Sequence, residues 1–293
     1  MRRIVITGAG SPVGRKVVER LQREPEVEIE AWVSTRPGQA VHAPMARCSW
    51  RAVDLQQALP VEAAAVVDRC DTLLHLAWVR SPDASNAIAV NTSMIRNLAQ
   101  HLRVPSALRF VSSVSSGPRA RSAYGRAKYA ANQLAVEVGG AALLLGLIVE
   151  AHPETGPFKM LEGFVRKLPV RIRFIDRNPN IYPVRQGDAM ELLTAFATGH
   201  ELRGLFRGFS SPLGINGFLA AIEAAYPRSR MPLPMFATPL QAVAGFASRL
   251  QLPGSAILDK VATILHKDDD YLLSAPSLPG PAPMRCEGAS YFM

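Results

Sequence analysis

Three side chains near the middle of the chain have the types and spacing needed to move a proton at a carbon–oxygen bond. Ser113 follows the strand-like run Leu108 to Val111, and Tyr124 and Lys128 stand four apart at the opening of a helix-period stretch. Residues at i and i+4 share one helical face. A phenol titrates near pH 10, and a nearby ammonium favours its ionised form and lowers that value. Tyr124 is therefore a candidate to exchange a proton with a carbonyl or alcohol, and Ser113 a candidate to hydrogen-bond the same oxygen. The spacing Tyr-x-x-x-Lys arises by chance in many chains. Alone, it reads better as an exposed lysine and a half-buried tyrosine.

A second feature weighs against coincidence. Gly8-Ala9-Gly10-Ser11-Pro12-Val13-Gly14 joins a strand-like run, Ile4 to Thr7, to a helical stretch reaching about Arg23. Glycine is useful there because a dinucleotide diphosphate must come close to main-chain N–H groups at a helix N-terminus. Ser11 suits the cap of that helix, and Pro12 suits its first turn, where a missing N–H costs nothing. Gly14 lets the helix lie close to the first strand. The plainer reading is a tight strand–helix connection; position at the first βα turn favours binding. The second strand ends at Ser34-Thr35-Arg36, with no carboxylate to receive an adenosine ribose. Arg36 suits a 2′-phosphate, so NADP(H) is expected over NAD(H), with NAD possible. The alternative for Arg36 is an exposed loop charge.

The elements that must position these residues alternate in type. Strand-like runs at Ile4–Thr7, Ile29–Val33, Trp50–Val53, Thr72–Ala77, Leu108–Val111 and Ala142–Val149 are separated by helical stretches near 56–68, 84–102 and 122–138. Such alternation predicts right-handed βαβ units, hence an α/β doubly wound parallel sheet of the Rossmann type over residues 1–150. Ser113 then falls at the carboxyl edge of the fifth strand, where open α/β sheets bind ligands. Beyond about residue 150 prolines and glycines become frequent, Val170 to Phe174 alternates like a half-buried strand, and helices are expected at 187–199, 214–226 and 238–250. Residues 151–267 read as a smaller α/β substrate lobe, with about 184–200 returning to the first domain. From Asp268 to 293 the prolines and weak periodicity read as a flexible tail.

Composition narrows the class. Hydrophobic residues make up 48% and charged residues 19%, enough for a sizeable core and unlike a disordered chain. No apolar run nears about 18 residues, so no membrane span is expected. The Met-Arg-Arg start passes directly into Ile4, without a secretory pattern, so a cytoplasmic location is expected. Cys48, Cys70 and Cys286 are sparse and unpaired in spacing, which argues for reduced thiols and against a metal site. The net charge of +9 is dispersed and aromatics are only 7%, so nucleic acid is not an expected partner.

In their order, Thr7 to Gly14, Asp54-Leu55, His75-Leu76-Ala77, Ser112-Ser113 and Tyr124 to Lys128 resemble the extended short-chain dehydrogenases/reductases, the NAD-dependent epimerase/dehydratase type. The resemblance covers about residues 2–200, with a looser echo to about 250. It implies that Ser113, Tyr124 and Lys128 are catalytic and that Lys128 also holds the nicotinamide ribose. It implies a cofactor site in which the turn of Gly8, Gly10, Ser11, Pro12, Val13 and Gly14 takes the diphosphate, Asp54 and Leu55 flank the adenine, and Leu76 and Ala77 line the cofactor. Asn91 matches a structural or proton-relay asparagine. The helices at 84–102 and 122–138 pair across a two-fold in such proteins, which implies a homodimer. Ser11 stands where the family's middle glycine is usual, and the stretch from Ser113 to Tyr124 is short for a nucleotide-sugar epimerase.

Trp78 and Arg80 follow the fourth strand and are expected to face substrate, with packing between lobes as the alternative for Trp78. His75 reads as a core histidine. Arg166, Lys167, Arg171, Arg173 and Arg185 either clamp a diphosphate or form a solvated face. The expected activity is NADP- or NAD-dependent oxidoreduction or epimerisation at a carbonyl/alcohol centre, the small-molecule substrate being a nucleotide-activated sugar. The alternatives are an NADPH-dependent reductase of a small ketone or aldehyde, and a non-catalytic dinucleotide-sensing protein.

Overall fold

The computed structural model describes residues 1–34, 47–240 and 255–280. Its first half alternates β1 (Arg2–Thr7), α1 (Pro12–Leu21), β2 (Val27–Val33), β3 (Cys48–Ala52), α2 (Val61–Arg69), β4 (Thr72–His75), α3 (Ala84–Ala99), β5 (Leu108–Val111), α4 (Ala123–Glu137) and β6 (Ala141–Leu145). The second half holds β7 (Leu147–Val149), α5 (Gly156–Lys167), β8 (Val170–Phe174), β9 (Asn180–Ile181), β10 (Pro183–Arg185), α6 (Gln186–Thr198) and β11 (Gly204–Gly208). It ends with β12 (Leu213–Gly214), α7 (Ile215–Ala224), β13 (Met231–Met235), α8 (Ser255–Leu265) and α9 (Asp269–Ser274).

Seven strands form one parallel sheet in the order β11-β6-β5-β4-β1-β2-β3. Ile4, Val5 and Ile6 of β1 are all buried, as a strand covered on both faces requires. One face packs on α1 and α6 through Val17, Leu21, Leu193 and Phe196. The other packs on α2, α3 and α4 through Val67, Leu98 and Leu134. The chain reverses its direction of winding between β1 and β4, and it is outside the carboxyl ends of such a pair that a ligand crevice opens.

The apolar run expected as one strand at 142–149 is two. At Gly146 an added Cβ would lie 2.6 Å from the Tyr182 carbonyl oxygen, and the amide there bonds Gly208 O at 3.1 Å. Beyond it β7 leaves the main sheet and pairs with β10. Residues 204–208, not expected as a strand, add the edge strand β11 to β6. The smaller lobe gathers α5, β8, α7 and α8 around Phe158, Phe174, Phe218, Ile222 and Leu265.

The segment from Asp268, expected as a flexible tail, is instead packed through residue 280. Leu272 and Ala275 lie buried against Val114, Leu144, Tyr182 and Phe209, and Leu278 enters the core of the main sheet. Leu272, Ala275 and Leu278 turn inward while Leu273 stays exposed, a pattern too short for periodicity to reveal. The helix expected at 238–250 lies from residue 241 outside the described residues, as does Arg36. No helix among the described residues is long and apolar enough to cross a membrane.

Candidate active site

The glycine turn is built from backbone contacts. Gly8 has a φ of +72°, and a Cβ there would lie 2.6 Å from the amide nitrogen of Ala77, at the end of β4. A Cβ on Gly14 would lie 2.3 Å from the Gly8 carbonyl oxygen. The turn therefore closes onto Leu76 and Ala77 with no room for side chains. Leu76 and Thr7 are bonded through the Leu76 amide and the Thr7 carbonyl oxygen at 3.1 Å. Ser11, in the place of the usual middle glycine, has φ −71° and caps α1, its Oγ accepting from the Gly14 amide at 3.0 Å. An L-residue sits there without strain.

The amides of the turn have separate fates. That of Ala9 donates to Trp32 O, that of Ser11 to Gly8 O, and that of Gly14 to Ser11 Oγ. Among the described residues no acceptor takes those of Gly10 and Val13, beside Pro12, which has none. These two donors at the positive end of α1 fit a diphosphate. Further along the sheet edge, Leu55 is buried while the Asp54 Oδ1 accepts from the Gln56 amide at 3.0 Å. Asn97 of α3 holds the Leu55 carbonyl at 3.3 Å.

At the other end of the crevice, Ser113 and Tyr124 meet. Ser122 caps α4, its Oγ accepting from the Gly125 amide at 2.9 Å, and this sets Tyr124 in the first turn. Between Tyr124 and Lys128, Gly125 lets the serine loop approach: a Cβ there would lie 2.3 Å from Ser115 O. Burial pushes the Tyr124 phenol up, and the neighbouring Ser113 hydroxyl and the Arg80 guanidinium work against the rise.

Lys128 is buried, and its Nζ donates to Val111 O at 2.9 Å. The ammonium lies 3.9 Å from the Trp78 ring centroid and 4.6 Å from that of Phe110. Burial, with the Arg80 charge, brings its pKa down to about 7. Lysine was expected to be the cation that eases ionisation of the tyrosine; here Arg80 has that effect, and Lys128 is turned toward a carbonyl and two aromatic faces. Trp78 packs edge-on against Tyr124, centroids 5.8 Å apart. The strand-end segment carrying Trp78 and Arg80 is clamped by Asn91, whose Oδ1 accepts from the Val79 amide at 3.0 Å while its Nδ2 donates to Val79 O at 2.9 Å. Asn91 is thereby a structural residue of the site.

His75 lies under this group. Its Nδ1 is 2.7 Å from Thr7 Oγ1, its Nε2 has no partner among the described residues, and burial with the Lys128 charge keeps it neutral, at about 3. In the small lobe, Arg171 pairs with Glu223 at 2.7 Å and Arg166 with Glu162 at 3.9 Å, so these two arginines are engaged on their own lobe. Sequence reasoning missed Gly125. A glycine inside a helix costs about 1 kcal/mol relative to alanine, and that cost was a readable sign of a close approach.

A parallel sheet with a glycine turn on its first strand and a tyrosine–lysine helix after its fifth defines an enzyme of the Rossmann class. The chain belongs to the NAD dependent epimerase/dehydratase family, whose model matches residues 4–190. Among solved structures it is similar to the UDP-glucose 4-epimerase of Thermotoga maritima with UDP-glucose, at 16% identity over 79% of this chain and 85% of that one, TM-score 0.59. It is also similar to the terminal R domain of the myxalamid PKS-NRPS biosynthetic pathway, at 16% identity over 99% of this chain and 84% of that one, TM-score 0.64. A mutant UDP-glucuronic acid 4-epimerase of Bacillus cereus, solved with a UDP-sugar analogue and NAD, matches at 12% identity over 80% and 86% of the two chains, TM-score 0.60. At these identities the likeness is one of fold. A search of curated proteins found no match.

Proposed function

We propose that the chain is a nicotinamide-dependent oxidoreductase or epimerase acting on the carbonyl/alcohol centre of a nucleotide-activated sugar, with Ser113, Tyr124 and Lys128 as its reacting side chains. The single observation that carries this is the placing of Ser113 just past β5, where its hydroxyl acts on the Tyr124 phenol, with the buried Lys128 one turn further along α4. Gly10 and Val13 would hold the diphosphate of the dinucleotide, and Leu76 and Ala77 would flank it. The bound nicotinamide supplies the hydride acceptor or donor. Tyr124 exchanges the proton on the substrate oxygen, Ser113 fixes that oxygen, and Arg80 stabilises the phenolate. Lys128, released from Val111 O, holds the ribose. Preference for NADP(H) rests on Arg36 and on Ser34-Thr35 in place of a carboxylate.

One observation favours a second reading. The Trp78 indole lies against both Tyr124 and Lys128 and takes up space beside the reacting hydroxyls, which suits a small ketone or aldehyde. Titration of the purified protein with NADH and NADPH, followed by hydride transfer to UDP-sugars and to plain ketones, separates the two. Binding of neither dinucleotide overturns both. Binding without turnover on either substrate class, unchanged by Tyr124→Phe, leaves a dinucleotide sensor.

A further inference from the structure

The connection from β5 to α4 must bring Ser113 to Tyr124, yet it holds itself together with few bonds. Within it, the Ser116 amide and Oγ donate to Ser113 O at 3.0 and 2.7 Å, and the Ala120 amide donates to Gly117 O at 3.0 Å. Much of the remaining support arrives from residues more than 130 positions later. The Ala123 amide, one residue before Tyr124, donates to Asp259 Oδ1 at 2.6 Å. Ser115 Oγ donates to Thr263 O at 3.3 Å. The Arg119 amide donates to Asp268 Oδ2 at 3.0 Å, and Arg119 Nε to Asp268 Oδ1 at 3.0 Å. Asn132 of α4 bridges Ser116 Oγ at 3.0 Å and the Tyr271 hydroxyl at 3.2 Å.

We infer that the segment from Asp259 to Tyr271 is a brace that completes the reacting site, with Asp259 and Asp268 as positioning residues for the Ser113–Tyr124 hydroxyl pair. The inference rests on the functional reading above for what that pair does, but not for the brace itself. Asp259 reaches the N-terminal turn of the tyrosine helix from outside, satisfying a donor that Ser122 does not reach. Asp268 is buried and meets the loop at its midpoint, where a Cβ on Gly117 would lie 2.6 Å from the Asp268 Cβ. Burial pushes the Asp268 carboxyl up, but the hydrogen bonds and charge of Arg119 outweigh it and hold the group ionised. The brace is tied down at its far side. Asp269 accepts from the Tyr182 hydroxyl at 2.7 Å and from Asn180 Nδ2 at 2.8 Å. Leu272 packs in the cluster that contains Val114, the neighbour of Ser113. Each end of the loop and its midpoint are thus fixed by a part of the chain that contributes no reacting group.

The test uses the full chain with Asp259→Ala, Asp259→Asn and Asp268→Ala. Three quantities are read: dinucleotide Kd, kcat and KM for hydride transfer, and amide hydrogen exchange over residues 111–128. The alanine variants are expected to lower kcat roughly ten- to hundredfold, the cost of a small misplacement of reacting groups. Dinucleotide Kd should stay within about twofold, and exchange should speed up over 111–128 but not over β1 and its turn. Asp259→Asn keeps an acceptor for the Ala123 amide and should recover most of kcat. Should Asp268→Ala not fold, Arg119→Met removes the same ion pair from its exposed side and is read in its place. Unchanged exchange over 111–128, or kcat within about twofold of the parent, overturns the brace, as does a Kd that weakens in step with kcat. A parent chain without turnover sinks the functional reading alone, because exchange still decides whether the brace holds the loop.

Discussion

The two ends of the crevice are made in opposite ways. At the glycine turn, fit is local: Gly8, Ser11 and Gly14 lie within seven residues, and each is explained by backbone atoms of the same turn or of the adjoining strand end. At the serine–tyrosine end, fit is remote. The chain between Ser113 and Tyr124 is bonded at Ser115, Arg119 and Ala123 by Thr263, Asp268 and Asp259, and Lys128 is roofed by Trp78 from another strand end. A site built from backbone tolerates almost no substitution but can be read from a few residues. A site built from side chains can be adjusted from a distance, and its environment is invisible to spacing alone.

The sharpest break in that comparison is Gly14→Ala. Its Cβ would meet the Gly8 carbonyl at 2.3 Å, and a backbone oxygen has nowhere to go. Dinucleotide affinity is expected to fall more than about a hundredfold, with about 1–3 kcal/mol of stability lost to overpacking, measured by fluorescence titration and denaturant melts. A variant that binds as the parent does would show that the turn is not the diphosphate cradle. Tyr124→Phe comes next. It should cost roughly 10²–10⁴ in kcat, the size of a general acid–base contribution, with dinucleotide Kd unchanged.

Legibility follows the same division. The β1 turn, the placing of Ser113 at the end of β5 and the i, i+4 pair on α4 were readable because each depends on neighbours in sequence. The split at Gly146 was not, since the atom that forces it is the carbonyl of Tyr182, from another part of the chain. Nor was the role of the carboxyl-terminal segment, where Asp259 and Asp268 look like ordinary surface carboxylates until α8 is laid beside α4. The electrostatics of Lys128 are hidden from the sequence for the same reason: two aromatic rings and Arg80 surround it, and none is its neighbour in sequence.

That environment can be read through pH. The Lys128 pKa falls from the usual 10.5 to about 7 in the folded chain, so between those values the unfolded state binds more protons and stability rises with pH. The slope from this one group is at most about 1.4 kcal/mol per pH unit. Lys128→Met should remove that rise between pH 7 and 10.5, seen by comparing melts of parent and variant. Parallel curves would mean that the ammonium is better solvated than its surroundings imply. Trp78→Ala should act in the same direction by letting water reach the ammonium. It should also lower KM for a UDP-sugar several-fold if the indole is what narrows the site, and leave KM for a small ketone almost unchanged.

The smallest effect belongs to Ser11→Gly, and it tests the local side of the comparison. The Ser11 hydroxyl takes the Gly14 amide, one of the donors that a helix N-terminus would otherwise offer a phosphate. Replacing a serine cap by glycine costs only a few tenths of a kcal/mol. The freed amide adds a donor without moving Gly10 or Val13. These two changes oppose each other, so dinucleotide affinity should shift by less than about threefold, toward tighter binding if the third donor reaches the diphosphate. A large loss instead would mean that the serine hydroxyl itself touches the ligand, and that this turn, like the far end of the crevice, works through a side chain.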